Sequence, residues 1–242
     1  QNPPKLYFAS TSSFACMSDN QRKIQAVPSS GAGTLPGVGK WQPREMLLST
    51  RGIAISAILG GMALVTEALG LSLPGYLPGV NFNLVGTYLS IATMAAGPLG
   101  GIIVTVLDSF TSSVSFYGLV FYWPHVFVLA YFWPKIYGVT NKAYRLGLYW
   151  VVSAVALFIQ YWGWFWLYVV VYKYGTTIWP LVTYNFGGGA YWIFLLIYAL
   201  IPGVVATAFP SFVKPEWKFA NLKWWTLAIV VIFLVLAATK AF

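Results

Sequence analysis

The sequence predicts an all-α polytopic membrane protein, a helical bundle with a six-span core and a seventh span at its C-terminal end. Only 8% of the 242 residues are charged and 59% are hydrophobic, whereas an average soluble domain is roughly a quarter charged. Long apolar segments alternate with short segments that carry Lys and Arg. Because a surface this poor in charge has to face lipid or other protein, we expect an integral protein of the cell membrane.

The first 46 residues differ in composition from the rest of the chain. They are polar, and Pro3-Pro4, Ser29-Ser30-Gly31 and Pro36-Gly37 interrupt any helical period. We therefore divide the chain into an extended N-terminal arm, 1–46, and a transmembrane bundle, 47–242. The arm is either a disordered tail or a segment that orders against a partner subunit.

Seven apolar segments predict the spans, since about 20 apolar residues are needed to cross a bilayer. The second and third segments are short, and the motif Gly97-Pro98-Leu99-Gly100-Gly101 between them predicts a tight break. We therefore expect those two segments to form a helical hairpin. The predicted spans are 52–71, 84–96, 102–115, 116–137, 146–172, 190–209 and 224–241.

Positive residues predict the orientation, because cytoplasmic connections carry an excess of Lys and Arg. Those ahead of the first span place the N-terminus in the cytoplasm. A hairpin at 84–115 then puts the two later basic connections inside as well, whereas a single span there would move the 135–145 cluster outside. The hairpin is favoured, and the C-terminus is predicted outside. The basic residues are Arg22, Lys23, Lys40, Arg44 and Arg51, then Lys135, Lys142 and Arg145, then Lys214, Lys218 and Lys223.

Composition and motifs argue against several classes of function. The net charge of +9 is scattered between apolar segments, so it predicts lipid headgroup contacts rather than nucleic acid. Cys16 is the only cysteine in the sequence and His125 is the only histidine. The chain therefore cannot form an internal disulfide framework, a structural zinc site or a haem site with two histidine ligands. The chain has no Gly-rich phosphate loop and no Gly-x-Ser-x-Gly elbow. We expect no catalytic residue, no metal and no cofactor, so any active transport would need energy from partners.

Two acidic residues lie in or near the ends of apolar spans and define a candidate ligand site. An ionisable group in a bilayer is costly, so Glu67 and Asp108 are functional-site candidates by default. The predicted topology places both toward the outside, where Asn81 and Asn83 would complete the site. His125, inside the fourth span, is a further candidate. The alternatives are that each acid is paired or reaches the interface, and that the histidine is hydrogen-bonded within the bundle.

Small residues line the first span. Gly52, Ser56 and Gly60 recur at helical spacing, with Ala57 and Gly61 beside them. Such faces allow two membrane helices to approach closely. The face serves either packing within the chain or docking onto a partner helix.

Aromatic residues gather near the predicted membrane interfaces. They indicate either an interfacial belt or, in part, a pocket for a flat organic ligand. Examples are Tyr122-Trp123, Trp133, Trp162 to Trp166, Trp179 and Trp224-Trp225.

The region 51–212 resembles the substrate-binding S component of energy-coupling factor vitamin transporters. The resemblance is carried by the small-residue stretch 54–61, by Asn81-Phe82-Asn83-Leu84-Val85-Gly86, and by Gly97-Pro98-Leu99-Gly100-Gly101 with Asp108 seven residues after it. Ile201-Pro202-Gly203-Val204-Val205 resembles the last helix of that family, and the six-span core agrees with it.

The resemblance implies a bundle that captures a vitamin or a metal ion from outside and passes it inward with a membrane coupling subunit and two ATPases. The face of Ala57 and Gly61 would then meet the coupling subunit, although the family usually has alanine where this chain has Gly61. The arm 1–46 and the seventh span are additions to the family pattern. The competing hypothesis is a non-catalytic structural subunit of a larger membrane complex, which the scarcity of intramembrane polar residues favours.

Overall fold

The computed structural model describes residues 49–70, 72–74, 81–110, 119–173 and 175–241. For residues 72–74 and 81–83 the description covers the backbone. The predicted arm, 1–46, lies outside the described residues, together with the basic residues that precede Arg51.

The regular elements of the described chain are helical apart from one short antiparallel ribbon, in agreement with the predicted all-α class. Two segments have π-helical spacing. The elements are α1 (Thr50–Ala68), β1 (Ser72–Pro74), β2 (Asn81–Asn83), α2 (Val85–Asp108), α3 (Trp123–Tyr137), α4 (Lys142–Val170), α5 (Trp179–Val182), π1 (Thr183–Gly187), α6 (Ala190–Leu195), π2 (Leu196–Leu200), α7 (Ile201–Ala208) and α8 (Leu222–Ala238).

Four helical segments of the described chain are long and apolar enough to cross a membrane. They are Thr50–Ala68, Val85–Asp108, Lys142–Val170 and Ala190–Ala208, and Leu222–Ala238 is a shorter apolar helix. Val85–Asp108 covers the second predicted span and part of the third, and the other segments each coincide with one predicted span. All have the apolar character that an integral membrane protein requires.

The helix α2 is in fact a hairpin, as the glycine-rich motif predicted. Gly97 has φ +70° and ψ −160° inside it, a conformation open to glycine and strained for other residues. A Cβ atom at Gly101 would lie 2.5 Å from Thr93 Oγ1. Residues eight positions apart in a continuous helix are separated by about 12 Å along the axis. The chain therefore reverses at Gly97.

Each half of this hairpin is short. The two halves, 85–96 and 98–108, have about a dozen residues each and rise only about 16–18 Å, whereas the hydrocarbon core is about 30 Å thick. The second half ends at Asp108, before the predicted end of the third span at 115, and residues 111–118 lie outside the described chain. Neither half, as described, is long enough to cross a bilayer alone.

The small-residue face of α1 divides into two rows. Ser56 and Gly60 are buried against the hairpin: a Cβ atom at Gly100 would lie 2.8 Å from Ser56 Oγ, and one at Gly60 would lie 2.5 Å from Leu107 Cδ1. This inner row therefore packs within the chain. Gly61 in the outer row has nothing within 4 Å of its Cβ position, so that row is open.

The connection between α7 and α8 covers the tip of the hairpin. The Trp217 indole lies where a Cβ atom at Gly97 would be, and its Nε1 donates to the Met94 carbonyl at 3.3 Å. The buried Trp133 Nε1 of α3 donates to the Val213 carbonyl at 2.9 Å. We call this connection, 209–221, the strap.

The strap also holds the start of α1. The Arg51 guanidinium donates to the Ser211 carbonyl and lies 3.6 Å from the Glu216 carboxylate. The strap and the α3–α4 turn therefore meet at one end of the bundle, which we call the basic end. Most basic residues of the described chain lie in this half: Arg51, Lys135, Lys142, Arg145, Lys214, Lys218 and Lys223.

The opposite end holds the end of α1, the start and finish of the α2 hairpin, and the start of α3. Glu67 and Asp108 lie there, so we call it the acid end. Lys173 follows α4 and Lys240 follows α8 at this end, where the Ile178 amide donates to the Lys240 carbonyl at 3.1 Å. In the described chain the basic residues are thus concentrated at the end opposite the two acids.

Candidate functional site

The structure brings two of the predicted site residues together at the acid end. Asp108 is the last residue of α2 and is only 2% exposed. Glu67 lies in the last turn of α1, within electrostatic range of Asp108. The hydroxyl groups of Tyr122 and Tyr198 are within electrostatic range of Asp108 as well. The two acids therefore belong to a polar region rather than to separate helix ends.

The backbones of Asn81 and Asn83 lie at the same end. Their strand β2 leads directly into α2, and it pairs with β1 in the register Ser72 to Asn83 and Pro74 to Asn81. The side chains of Asn81 and Asn83 lie outside the described part of the chain. Their role in ligand binding therefore stays a prediction.

His125 lies deeper in the bundle than the acids. It is fully buried in the first turn of α3, and its Nε2 atom is 2.9 Å from Ser90 Oγ. Its ring meets the Tyr198 ring edge-on, with centroids 4.7 Å apart. The histidine is thus hydrogen-bonded within the bundle, in a cluster that adjoins the acid end through Tyr198.

Pro202 explains why this cluster gathers around π2. Proline has no backbone N–H, so it cannot donate to the Tyr198 carbonyl at α-helical spacing or to the Ile197 carbonyl at π-helical spacing. A buried carbonyl needs another donor. Hydroxyl groups are these donors. Thr87 Oγ1 donates to the Ile197 carbonyl at 2.9 Å, and the Tyr198 carbonyl accepts from Tyr149 OH at 2.8 Å and from Ser90 Oγ at 3.3 Å.

The hydroxyl end of Tyr198 is equally enclosed. Gln160 Nε2 of α4 approaches this hydroxyl at 3.4 Å, and the Tyr122 side chain hydrogen-bonds to it. Gln160 is 3% exposed, and its Oε1 atom meets no hydrogen-bond partner in the described structure; the same holds for His125 Nδ1. Two buried polar atoms with hydrogen-bonding capacity to spare therefore flank Tyr198.

An aromatic stripe on α4 leads from the acid end toward this cluster. Trp164, Tyr168 and Tyr172 recur at every fourth residue, with successive ring centroids 6.2 and 5.7 Å apart. Trp164 meets the Tyr122 ring at 5.8 Å, and Gln160 lies one turn deeper on the same side of the helix. We refer to Trp164, Tyr168 and Tyr172 as the aromatic stripe.

Sequence reasoning missed the residues at the centre of the cluster. Ser90, Gln160 and Tyr198 were not among the candidates, since hydroxyl and amide groups in apolar segments are common and carry no charge, and Tyr122 was considered only as one of the aromatic residues near the interfaces. Pro202 was the available signal, because a proline within a helix predicts orphaned carbonyl groups one turn earlier. The sequence alone does not tell which side chains satisfy those groups.

The arrangement suits binding by charge and hydrogen bonds. No group of three or more His, Cys, Asp or Glu residues lies close enough to hold a metal ion within the part of the chain that the structure describes. Carboxylates, hydroxyl groups and aromatic faces remain as the contacts that a ligand would meet at the acid end.

The fold and this site define a class: a helical bundle with membrane-capable helices and a buried polar cluster near one end. No family model, curated protein or solved structure matches this chain. The resemblance to S components therefore depends on the short sequence motifs described above.

Proposed function

We propose that this protein is a membrane-embedded subunit that captures a small molecule at the acid end for uptake. The observation that carries the proposal is Asp108, a carboxyl group buried at the end of an apolar helix within electrostatic range of Glu67. Placing an ionisable group there costs free energy, and such groups in membrane proteins usually serve a substrate or ion path.

The distribution of charge supports an orientation with the basic end in the cytoplasm and the acid end outside. In this arrangement α1, α3, α4, the segment from α5 to α7, and α8 each cross the membrane. The α2 hairpin enters from the outside and returns. This arrangement has five crossings and one re-entrant hairpin in place of the second and third predicted spans, and it keeps the cell membrane location and the cytoplasmic N-terminus that the sequence predicts.

Release of the ligand inward requires the basic end to open. The strap covers the hairpin tip there through Trp217 and Gly97. The chain carries no nucleotide-binding motif, so partner subunits would supply the energy. This division of labour is that of an S component with its coupling subunit and ATPases. The open row of Ala57 and Gly61 on α1 is available for such a coupling subunit.

Ligand analysis of the purified full chain tests the proposal. A small molecule should co-purify with the protein in mild detergent, and the variants Asp108→Ala and Asn83→Ala should each weaken its binding. Glu216→Gln, which changes an acid at the basic end, should bind as the wild type does. Unchanged binding in both site variants would rule out the acid end as the ligand site.

The alternative function is that of a non-catalytic structural subunit in a larger membrane complex. The outward side of α1 favours it, because Ile53, Ile58 and Met62 are exposed beside the open Ala57 and Gly61 row. In that case native gels should show the chain only in a large assembly, from which deletion of 1–46 releases it. A monodisperse monomer in mild detergent would count against this alternative.

A further inference from the structure

The two neighbouring acids of the acid end, Asp108 and Glu67, favour a ligand that carries a positive group. Asp108 and Glu67 act on each other electrostatically, and two neighbouring carboxylates repel when both are ionised. A cation placed near both reduces this repulsion and also offsets the cost of keeping Asp108 ionised in a buried position. An anion would increase both costs.

The aromatic stripe supplies a second kind of contact for a cation. The face of an aromatic ring attracts an ammonium group that lies within about 6 Å of its centroid. Tyr172 is 38% exposed at the end of α4, and Trp164 at the other end of the stripe touches Tyr122. The stripe thus runs from the surface to the tyrosine that lies within electrostatic range of Asp108 and Glu67.

A buried acceptor lies where the stripe continues inward. Gln160 is one turn below Trp164 on α4, and its Nε2 donates to the Tyr198 hydroxyl at 3.4 Å. Its Oε1 atom is buried without a hydrogen-bond partner among the described residues. Burial of an acceptor without a donor is destabilising, so this atom is suited to receive an N–H group from a ligand.

From these three features we propose that the captured molecule is an organic cation, with its positive group at Asp108 and Glu67 and its apolar body against the aromatic stripe. The inference depends on the proposed function, because it names the substrate class of that same site. The rings favour an organic ammonium over a bare metal ion, since hard cations take six or more oxygen ligands.

Binding of two probes of similar shape and opposite charge tests the inference. Benzylammonium, which carries N–H donors, and benzylsulfonate are titrated separately into the full chain in detergent, and binding is followed by calorimetry and by thermal unfolding. We expect the ammonium probe to bind and to raise the unfolding temperature, and the sulfonate probe to leave both signals unchanged.

Variants locate the site of that binding. Asp108→Asn should lower the affinity for the ammonium probe by about tenfold or more, because it removes a buried charge that the ligand meets. Tyr168→Leu should lower the same affinity by about threefold or more, because it removes an aromatic face that attracts the ammonium group. The matched controls, Glu216→Gln and Tyr144→Leu, change an acid and an exposed α4 aromatic at the basic end, and they should bind the probe as the wild type does.

The outcomes separate this inference from the function on which it depends. If the sulfonate probe binds, and Asp108→Asn alters its binding, the acid end is a ligand site but the inference of a cationic substrate is wrong. If neither probe binds and no small molecule co-purifies, both the inference and the proposed function are wrong. Equal loss of ammonium binding in Glu216→Gln and Asp108→Asn would also overturn the inference.

Discussion

At the scale of single residues, Pro202 has the widest effect on the interior of the bundle. Its missing N–H removes the helical donor of the Tyr198 carbonyl at α-helical spacing or of the Ile197 carbonyl at π-helical spacing, and hydroxyl groups from α2 and α4 donate to both carbonyls. A local covalent property of one residue thereby determines which polar side chains converge on π2. The polar interior is a consequence of satisfying the backbone, and Gln160 and His125 retain spare hydrogen-bonding atoms within it.

Removal of one of these hydroxyl donors should lower the free energy of unfolding. Tyr149→Phe takes away the shortest hydrogen bond to the Tyr198 carbonyl, at 2.8 Å, and leaves only the longer one from Ser90. We expect the free energy of unfolding in mixed micelles to fall by about 1 kcal/mol. Tyr144→Phe is the matched control, because Tyr144 is 63% exposed on the same helix and its replacement should have no measurable effect. Equal stability of the two variants would contradict the role given to Tyr149.

Gly97 predicts a larger effect on stability. Its positive φ and the Trp217 ring, 2.5 Å from where a Cβ atom would be, both exclude a side chain. Gly97→Ala should therefore lower the free energy of unfolding by about 2–3 kcal/mol. Gly61→Ala, in an open part of α1, should leave it unchanged or raise it by up to about 1 kcal/mol. The same unfolding measurement checks both, and a tolerated alanine at Gly97 would argue against the hairpin.

At the scale of elements, the hairpin and the strap form one unit at the basic end. The hairpin reverses at Gly97, and the strap lays Trp217 on the point of reversal. The ion pair of Arg51 with Glu216 fastens the strap to α1, but both side chains are well exposed. An exposed pair of this kind contributes under about 1 kcal/mol, so the indole contact is the stronger part of the closure.

The strap leads to a prediction about local opening. Trp217→Ala should expose residues 94–101 of the hairpin tip, which hydrogen exchange with mass spectrometry would detect as faster exchange in that peptide. Trp225→Ala removes an exposed indole from α8 and should leave the tip unchanged. Glu216→Gln should accelerate exchange much less than Trp217→Ala does. If the tip exchanges equally in all three variants, the strap does not close it.

Much of the element order could be predicted from hydropathy and from glycine chemistry. The hairpin followed from Gly97-Pro98-Leu99-Gly100-Gly101, because few residues other than glycine allow so sharp a reversal. The two rows of α1 could not be separated in advance, since both contain small residues and only the position of Leu107 and Gly100 on α2 decides which row is buried. The Tyr198 cluster was equally inaccessible, as its donors come from positions about 50 to 110 residues away and converge only after the helices pack.

At the scale of the whole molecule, the uneven distribution of charge predicts how the described bundle is oriented in the membrane. Basic residues concentrate at the strap and the α3–α4 turn, and both acids of the candidate site lie opposite. In a bilayer this predicts that the basic end faces the cytoplasm. If the proposed function holds, the aromatic stripe and Asp108 then face a ligand that arrives from outside.

Labelling of single cysteines tests this direction. In a chain with Cys16 replaced, Lys142→Cys in the α3–α4 region should react with an impermeant maleimide only after the cells are opened. Tyr172→Cys at the other end of α4 should react on intact cells. The two positions are matched because they flank the same helix. The reverse labelling pattern would overturn the orientation and would place the acid end in the cytoplasm.

The central claim is that the acid end holds a small molecule, and native mass spectrometry of the intact detergent-solubilised particle tests it most directly. For the wild type, the account predicts the mass of the chain plus a small ligand, with any partner subunits that remain attached. For Asp108→Asn it predicts the same protein particle with the ligand lost. A wild-type particle that carries no small molecule, or a ligand that is fully retained in Asp108→Asn, would contradict the claim.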